Sequence, residues 1–124
     1  MSILKVWFEE VWNQGREDAI DELSHVDTKG HGIAGPGGNE LEGTEAFKVF
    51  YRDFRSSFSN IHVEVEDTVS EGDKTVARCL CTAVQTSSGK PVRFTGQCMA
   101  RVQDGKIIEV WNNFDFLTMN QQLV

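Results

Sequence analysis

The spacing of apolar residues changes once along this chain, from helical in the first half to alternating in the second. Through residue 58, apolar side chains recur three and four positions apart, which predicts amphipathic helices. From residue 61, apolar and polar residues alternate, as in Ile61, Val63 and Val65, which is typical of half-buried strands. The sequence therefore predicts an α+β fold in which helices come first and pack on one face of a sheet.

Three helices are predicted before the sheet. The first covers SILKVWFEEVWNQG, a shorter second one carries Ala19, Ile20 and Leu23, and a third begins near Thr44 as a candidate N-cap. Between the second and third lies HVDTKGHGIAGPGGNELEG, which is rich in Gly, Asn and Asp and is predicted to be a long loop. The third helix carries an aromatic stripe with Tyr51 at its margin: Phe47, Phe50, Phe54 and Phe58.

Four strands are predicted after residue 60. The turn signals SEGD, TSSGKP and QDGK separate segments near 74–86, 91–102 and 106–115, and short turns between adjacent strands imply an antiparallel meander. A short C-terminal helix is expected to follow in FLTMNQQLV. No repeat or linker divides the chain, so residues 1–124 are predicted to form one domain.

The turns also predict which residues lie opposite one another. Ser87 is predicted to pair with Lys90, and Gln103 with Lys106, and these pairs set the register of the strands. Residues that lie opposite each other on neighbouring strands share a face of the sheet. The predicted rows are Ala83–Phe94–Asp115, Cys81–Gly96–Asn113, Cys79–Cys98–Trp111 and Ala77–Ala100–Glu109. These rows form a face of small side chains, which leaves room beneath the helices for aromatic rings or a ligand. A β-bulge in any strand would shift them.

Asp115 is the candidate catalytic group on this small-residue face. Desolvation there would raise the pKa of its carboxyl group, which suits a general acid or base working near neutrality. Asn113 could orient a substrate carbonyl and Trp111 could wall a pocket. The alternatives are that Asp115 caps the C-terminal helix and that Asn113 and Trp111 are ordinary packing residues.

Composition narrows the classes of partner. The chain has 124 residues, with 12 Lys and Arg against 19 Asp and Glu, and a formal net charge of −7. Nucleic acid and anionic membrane surfaces would repel such a protein, and no apolar run of about 18 residues could span a bilayer. Three cysteines and no recognisable signal peptide favour a cytoplasmic location with reduced thiols.

Further expectations concern oligomers, metals and cofactors. The sheet face opposite the small residues mixes apolar and polar groups, which favours a homodimer through that face. Three cysteines without a placed histidine fall short of a zinc pattern, so no metal site is predicted. The chain has no dinucleotide or phosphate-loop motif, and no cofactor is expected.

The stretch DGKIIEVWNNFDFLTMNQQL resembles the SnoaL-like polyketide cyclase branch of the nuclear transport factor 2-like superfamily. HGIAG, EGTEAFKVFYRDFRSSF and VEVEDTVSEGDKTVAR match in the same order. The resemblance implies a cone-shaped α+β barrel around an apolar pocket. It implies that Asp115 acts as general acid/base, as in intramolecular aldol closure, and that His31 reaches the pocket mouth. Tyr51, Phe94 and Cys98 complete the predicted substrate-binding set.

Two functions follow from these expectations. The first is a cofactor-independent enzyme that uses Asp115 on a small apolar carbonyl compound, in an aldol-type cyclisation or an isomerisation. The second is a non-catalytic, dimeric module that binds a small ligand in the same fold. The chain departs from the family cyclases because FTGQCMARV contains no histidine. A related epoxide hydrolase has an Arg and an Asp two residues apart on a strand, and this chain lacks that pair because Leu80 stands two residues after Arg78.

Overall fold

Helices and strands are defined over residues 2–33 and 40–124, the part of the chain that the computed structural model describes. The helices are Ile3–Trp7 (α1), Asp18–Leu23 (α2), Gly43–Ser57 (α3) and Phe116–Gln121 (α4), and a π-helical segment, Phe8–Asn13, continues α1. The strands are Ser24–His31 (β1), Leu41–Glu42 (β2), Phe58–Glu71 (β3), Lys74–Gln85 (β4), Pro91–Gln103 (β5) and Lys106–Phe114 (β6). They form one sheet in the order β2-β1-β6-β5-β4-β3.

The α+β plan and the antiparallel meander of β3 to β6 are confirmed, but the predicted number of strands was wrong. The sheet has six strands because β2 and all of β1 after Ser24 lie within the segment predicted to be a loop. Strand β1 runs parallel to β6, so the sheet is mixed. Its sequence, SHVDTKGH, has Val26 as its only large apolar residue, and pairing with β2 and β6 defines this strand. Residues 34–39, including Pro36, lie outside the described residues.

The first predicted helix is divided between α1 and the π-helical segment. In the wider turn, the backbone N–H of Gln14 donates to the carbonyl of Glu9 at 2.8 Å. Asn13, at the end of this segment, binds the backbone of Val63 twice: its Nδ2 donates to the carbonyl at 3.0 Å, and its Oδ1 accepts from the N–H at 2.7 Å. Because β3 is an edge strand, this amide satisfies backbone groups that would otherwise be unpaired. No described helix is long and apolar enough to cross a bilayer.

The inner face of the sheet, which faces the helices, carries the small residues that the sequence predicted. They belong to β4 and β5 and are Ala77, Cys79, Cys81, Ala83, Gly96, Cys98 and Ala100. Large aromatic side chains from the helices fill the space above them, because native interiors contain few voids. Trp12 is central, with its ring centroid 5.0 Å from that of Tyr51 and 5.6 Å from that of Phe54.

Strands β4 and β5 pair two residues away from the predicted register. Cys79 lies opposite Gly96 and Ala77 opposite Cys98, so the predicted Cys79–Cys98 pair was wrong. The reason is a wider turn, in which the N–H of Gln85 donates to the carbonyl of Lys90 at 2.8 Å. A shift of two residues keeps every side chain on its predicted face, because the side-chain period of a strand is two.

Strand β6 contains a β-bulge that reverses its faces. Val102 pairs with Ile107 as predicted, but the next pair is Arg101 with Glu109, which leaves Ile108 unpaired. One extra residue moves every later side chain to the other face. The residues that share the inner face are therefore Val110, Asn112 and Phe114, and the prediction that Trp111, Asn113 and Asp115 lie there was wrong.

Replacing Gly96 by alanine should destabilise the fold. Gly96 lies opposite Phe114, and an added Cβ would overlap the ring and Cα of that residue. We expect Gly96→Ala to lower the free energy of unfolding by about 1–3 kcal/mol, as other overpacked sites do. Urea denaturation measures this change. Gly30→Ala is the matched control, because its Cβ would meet its nearest neighbour at 3.8 Å; equal losses in both variants would contradict the predicted overlap.

Candidate functional site

An apolar cavity of about 100 Å³ lies between the helices and the inner face of the sheet. Nine of the residues that line it are aromatic, from the helices and from β5 and β6: Trp7, Phe8, Trp12, Phe47, Phe50, Phe54, Phe94, Phe114 and Phe116. Its polar side chains are uncharged: Ser24, Thr28, Thr44, Thr82 and Asn112. Among the described residues, no Asp, Glu, Lys, Arg or His lines this cavity.

Phe94 is the one member of the predicted substrate-binding set that lines the cavity. Tyr51 and Cys98 are buried in the core outside its lining. The hydroxyl of Tyr51 donates to the carbonyl of Val11 at 2.8 Å, which ties α3 to the π-helical segment. Tyr51 and Cys98 therefore contribute to packing rather than to the wall of the cavity.

The three cysteines are all buried as free thiols. Cys81 lines the cavity, and burial raises the pKa of its thiol to about 12. Burial likewise raises the pKa of Cys79 to about 12 and raises that of Cys98. The thiols are therefore protonated at neutral pH and contribute small apolar volumes to the core. Within residues 2–33 and 40–124, no three His, Cys, Asp or Glu side chains are grouped to hold a metal ion.

Asp115 is an exposed helix cap outside the cavity. Its Oδ1 accepts from the backbone N–H of Thr118 at 3.0 Å, and the Thr118 hydroxyl donates to Oδ2 at 2.7 Å. These two hydrogen bonds stabilise the carboxylate and lower its pKa, so the expected rise by desolvation was wrong. The capping alternative is the one that the geometry supports.

His31 lies on the outer face of the sheet, where two carboxylates hold its ring. Nε2 lies 2.7 Å from Glu109 Oε2, and Nδ1 lies 2.7 Å from Glu40 Oε1. The imidazole stacks on the Trp111 ring with centroids 5.4 Å apart, and the guanidinium of Arg101 lies 5.6 Å from the same ring centroid. The hydrogen bonds to Glu109 and then to Glu40 raise the pKa of His31.

The predicted positions of His31, Trp111 and Asn113 in the pocket are therefore corrected. The side chains of His31 and Trp111 form one cluster on the outer face, and Asn113 is exposed there. The backbone of His31 does contact a cavity residue, since Nδ2 of Asn112 donates to its carbonyl at 2.9 Å. That hydrogen bond joins the end of β1 to the inner face of β6.

Sequence reasoning missed two groups of cavity residues. Those on β6 could have been found, because Val110 and Phe114 are more apolar than Glu109 and Asn113. The apolar residues of β6 indicate one inner face, whereas the register set by the QDGK turn indicates the opposite one. A β-bulge between the turn and these residues reconciles the two. The second group comes from β1, from the residues just after it and from the start of α3, where the local sequence carries little apolar signal: Ser24, Thr28, Gly30, Ile33 and Thr44.

Comparison with known proteins agrees with this architecture. A sequence model described as SnoaL-like polyketide cyclase matches residues 2–123. The chain belongs to the SnoaL-like polyketide cyclase family. No curated protein matches it.

Solved structures place this SnoaL-like domain among similar folds. A proposed polyketide cyclase from Bacillus cereus ATCC 10987 is 32% identical, with 98% of this chain and 77% of that chain covered and a TM-score of 0.84. Wild-type IdmH from Streptomyces antibioticus, also a proposed polyketide cyclase, is 26% identical over 95% and 94% of the two chains, with a TM-score of 0.81. A hypothetical protein from Catenulispora acidiphila DSM 44928 with a ketosteroid isomerase-like fold, solved in complex with trimethylamine, has a TM-score of 0.85 at 16% identity over 98% and 91%.

Removing the Asp115 cap of this SnoaL-like domain should lower its stability. We expect Asp115→Ala to reduce the melting temperature, because the N–H of Thr118 loses its side-chain acceptor. Asp115→Asn is the matched control and should stay close to the wild-type protein, since asparagine is an equally good N-cap. Thermal unfolding followed by circular dichroism measures both. Equal losses in the two variants would show that the charge matters beyond capping.

The stability of the SnoaL-like domain should depend on the protonation of His31. Its pKa is raised in the folded state, so its contribution is complete below the unfolded pKa of about 6.5 and is lost as pH rises through the folded pKa. We therefore compare the difference in the free energy of unfolding between wild type and His31→Gln at two pH values. We expect this difference to be larger at about pH 5.5 than at about pH 8.5, by on the order of 1 kcal/mol.

Glu109→Gln provides the control for this pH dependence. Glu109→Gln removes the negative charge beside Nε2 of His31. In a protein that carries this substitution, the effect of His31→Gln on the free energy of unfolding should depend less on pH. Urea denaturation gives the four free energies of unfolding of the double-mutant cycle at each of the two pH values. A difference between wild type and His31→Gln that stays constant with pH would refute the assignment.

Proposed function

We propose that this SnoaL-like domain binds a small, uncharged, apolar molecule in its inner cavity. The observation that carries the proposal is the lining, in which aromatic rings surround the space and the polar side chains are hydroxyls and one amide. Ligand sites are mostly apolar with a few placed polar groups, and this cavity has that composition. A charged ligand would lose its hydration on entering the cavity, and none of the described lining residues carries an opposite charge to compensate. The transfer of such a ligand from water would therefore cost free energy.

The volume of the cavity limits the size of the ligand. About 100 Å³ is below the roughly 300–1,000 Å³ of sites that hold drug-sized ligands. It is nearer to the engineered cavity of about 150 Å³ that binds benzene. The proposed ligand therefore has the size of a five- or six-membered ring, and a multi-ring polyketide would require the aromatic side chains to move.

Asp115 has no part in this proposal. The family resemblance implies an acid/base role at its position, and that role stays a prediction, but two observations favour capping instead. Its carboxylate is exposed outside the cavity, and its pKa is lowered, which makes it a weak base at neutral pH. Among the two functions expected from the sequence, the geometry thus supports small-ligand binding best.

The outer face of the sheet is the surface through which a homodimer is expected. Half-buried apolar side chains on this face include Leu80, Met99 and Trp111, which would suit a contact between two copies. The homodimer through this face stays a prediction, and so does the cytoplasmic location.

Filling the cavity should abolish binding of a small apolar probe. We expect methylenecyclopentane to bind wild type saturably, with a dissociation constant on the order of millimolar, because six heavy atoms bury little surface. Ala83→Leu should weaken this binding by at least about tenfold, since Ala83 lines the cavity and the larger side chain occupies it. Chemical shift changes in ¹H–¹⁵N spectra measure the affinity.

Thr95→Leu is the control for this experiment. It adds an apolar side chain to the neighbouring strand but on the exposed outer face, so it should leave probe binding unchanged. Thermal unfolding verifies that both variants are folded. Absence of saturable binding to wild type, or equal binding by Ala83→Leu, would refute the proposed function.

A further inference from the structure

Two nearly buried hydroxyl groups in the cavity wall have no hydrogen-bond partner among residues 2–33 and 40–124. They belong to Ser24, which is 4% exposed, and Thr44, which is 3% exposed. The third buried polar residue, Thr75, is different, because its hydroxyl contacts those of Ser2 at 3.0 Å and Ser70 at 2.9 Å. An unpaired hydroxyl in a protein interior is costly, so such groups require an explanation.

These hydroxyls still reach open space. Among the described side-chain N and O atoms, the only one that is both fully enclosed and unpartnered is Arg101 Nε. The oxygens of Ser24 and Thr44 therefore keep some accessible surface although their residues are almost completely buried. Since both residues line the cavity, we infer that this surface faces its interior.

Each of the other polar side chains of the wall has a hydrogen-bond partner or faces solvent. The hydroxyl of Thr28 lies 2.6 Å from the carbonyl of His25 and 2.7 Å from that of Ile107. The Asn112 amide donates to the carbonyl of His31, and Thr82 is exposed to solvent. Ser24 and Thr44 are thus the buried hydroxyls of the wall that have no partner among the described residues.

The start of α3 adds positive potential beside Thr44. This helix has 15 residues, and its N-cap residue, Glu42, makes no side-chain capping hydrogen bond. Gly43 and Thr44, in its first turn, both line the cavity. A Cβ added at Gly43 would lie 3.2 Å from the carbonyl oxygen of Val26, so the helix begins against β1, two residues from Ser24. The first N–H groups of a helix carry partial positive charge, which favours an oxygen acceptor.

We propose that the hydroxyls of Ser24 and Thr44, beside the first turn of α3, bind the one oxygen atom of an otherwise apolar ligand. A carbonyl oxygen fits best, because it accepts two hydrogen bonds and carries no charge. The ligand class is thus a small ketone or aldehyde whose hydrocarbon part contacts the aromatic wall. This inference rests on the proposed function, which assigns an apolar ligand to the same cavity.

A pair of matched probes tests the inference. Cyclopentanone and methylenecyclopentane have the same number of heavy atoms and differ in one position, where an oxygen replaces a CH₂ group. We expect Ser24→Ala and Thr44→Val each to weaken cyclopentanone binding about fivefold, and the double variant by tenfold or more, because each removes one donor. Binding of methylenecyclopentane should stay within about twofold of wild type or become tighter.

Two controls accompany these variants. Thr44→Ser keeps the hydroxyl and should keep the affinity for cyclopentanone, which separates the donor from the shape of the side chain. Thr75→Val removes a buried hydroxyl that does not line the cavity and should leave the ratio of the two affinities unchanged. Titration followed by ¹H–¹⁵N spectra gives all affinities, and thermal unfolding verifies that each variant is folded.

The possible outcomes separate the two proposals. If wild type binds neither probe, the proposed function is wrong. If it binds both probes, and the ratio of affinities is the same in Ser24→Ala, Thr44→Val and wild type, the cavity binds ligands but the two hydroxyls do not hold the oxygen. If Thr44→Ser loses as much affinity as Thr44→Val, the effect is steric and the inference is overturned.

Discussion

The unpaired residue Ile108 in β6 controls which side chains reach the cavity. Before it, the strand continues the register of the tight turn that precedes Lys106. After it, the faces are exchanged, so Val110, Asn112 and Phe114 point toward the helices. The same exchange places Glu109 and Trp111 where they can hold His31 on the outer face. One extra residue thus sets both the apolar character of the interior and the charged cluster outside it.

The interior depends on a match between small and large side chains. Alanine, cysteine and glycine on β4 and β5 give a shallow floor, and the rings of α1, the π-helical segment and α3 occupy the space above it. Gly96 shows how tightly the two sets of side chains pack, because a Cβ added there would overlap Phe114. What remains is a cavity of about 100 Å³, so its size is set by a few aromatic side chains rather than by the sheet.

Much of the fold could be predicted from the sequence, while most of the site could not. The α3 stripe and the alternation in β3 to β5 follow from burial of one face, which leaves its period in the sequence. Strand β1 is stabilised by pairing with β2 and β6, and its sequence shows no alternation of apolar and polar residues. The faces of β6 depended on a bulge that turn lengths do not reveal, so Asp115 and Trp111 were placed on the wrong side. Phe94 belongs to β5, which the bulge does not affect, and it was placed on the correct side. Ser24 and Thr44 enter the cavity only through tertiary contacts.

The parallel pairing of β1 with β6 has a consequence for how the protein is made. Residues 24–31 find their partner in residues 107–111, so this wall of the cavity joins segments that are about 80 positions apart. During synthesis α1 to α3 and β3 to β5 leave the ribosome before that partner exists. Until β6 emerges, the aromatic rings of the interior lack one side of their enclosure. Strand β6 therefore completes the cavity only after the segments that precede it have been translated, and the exposed rings can contact other chains until then.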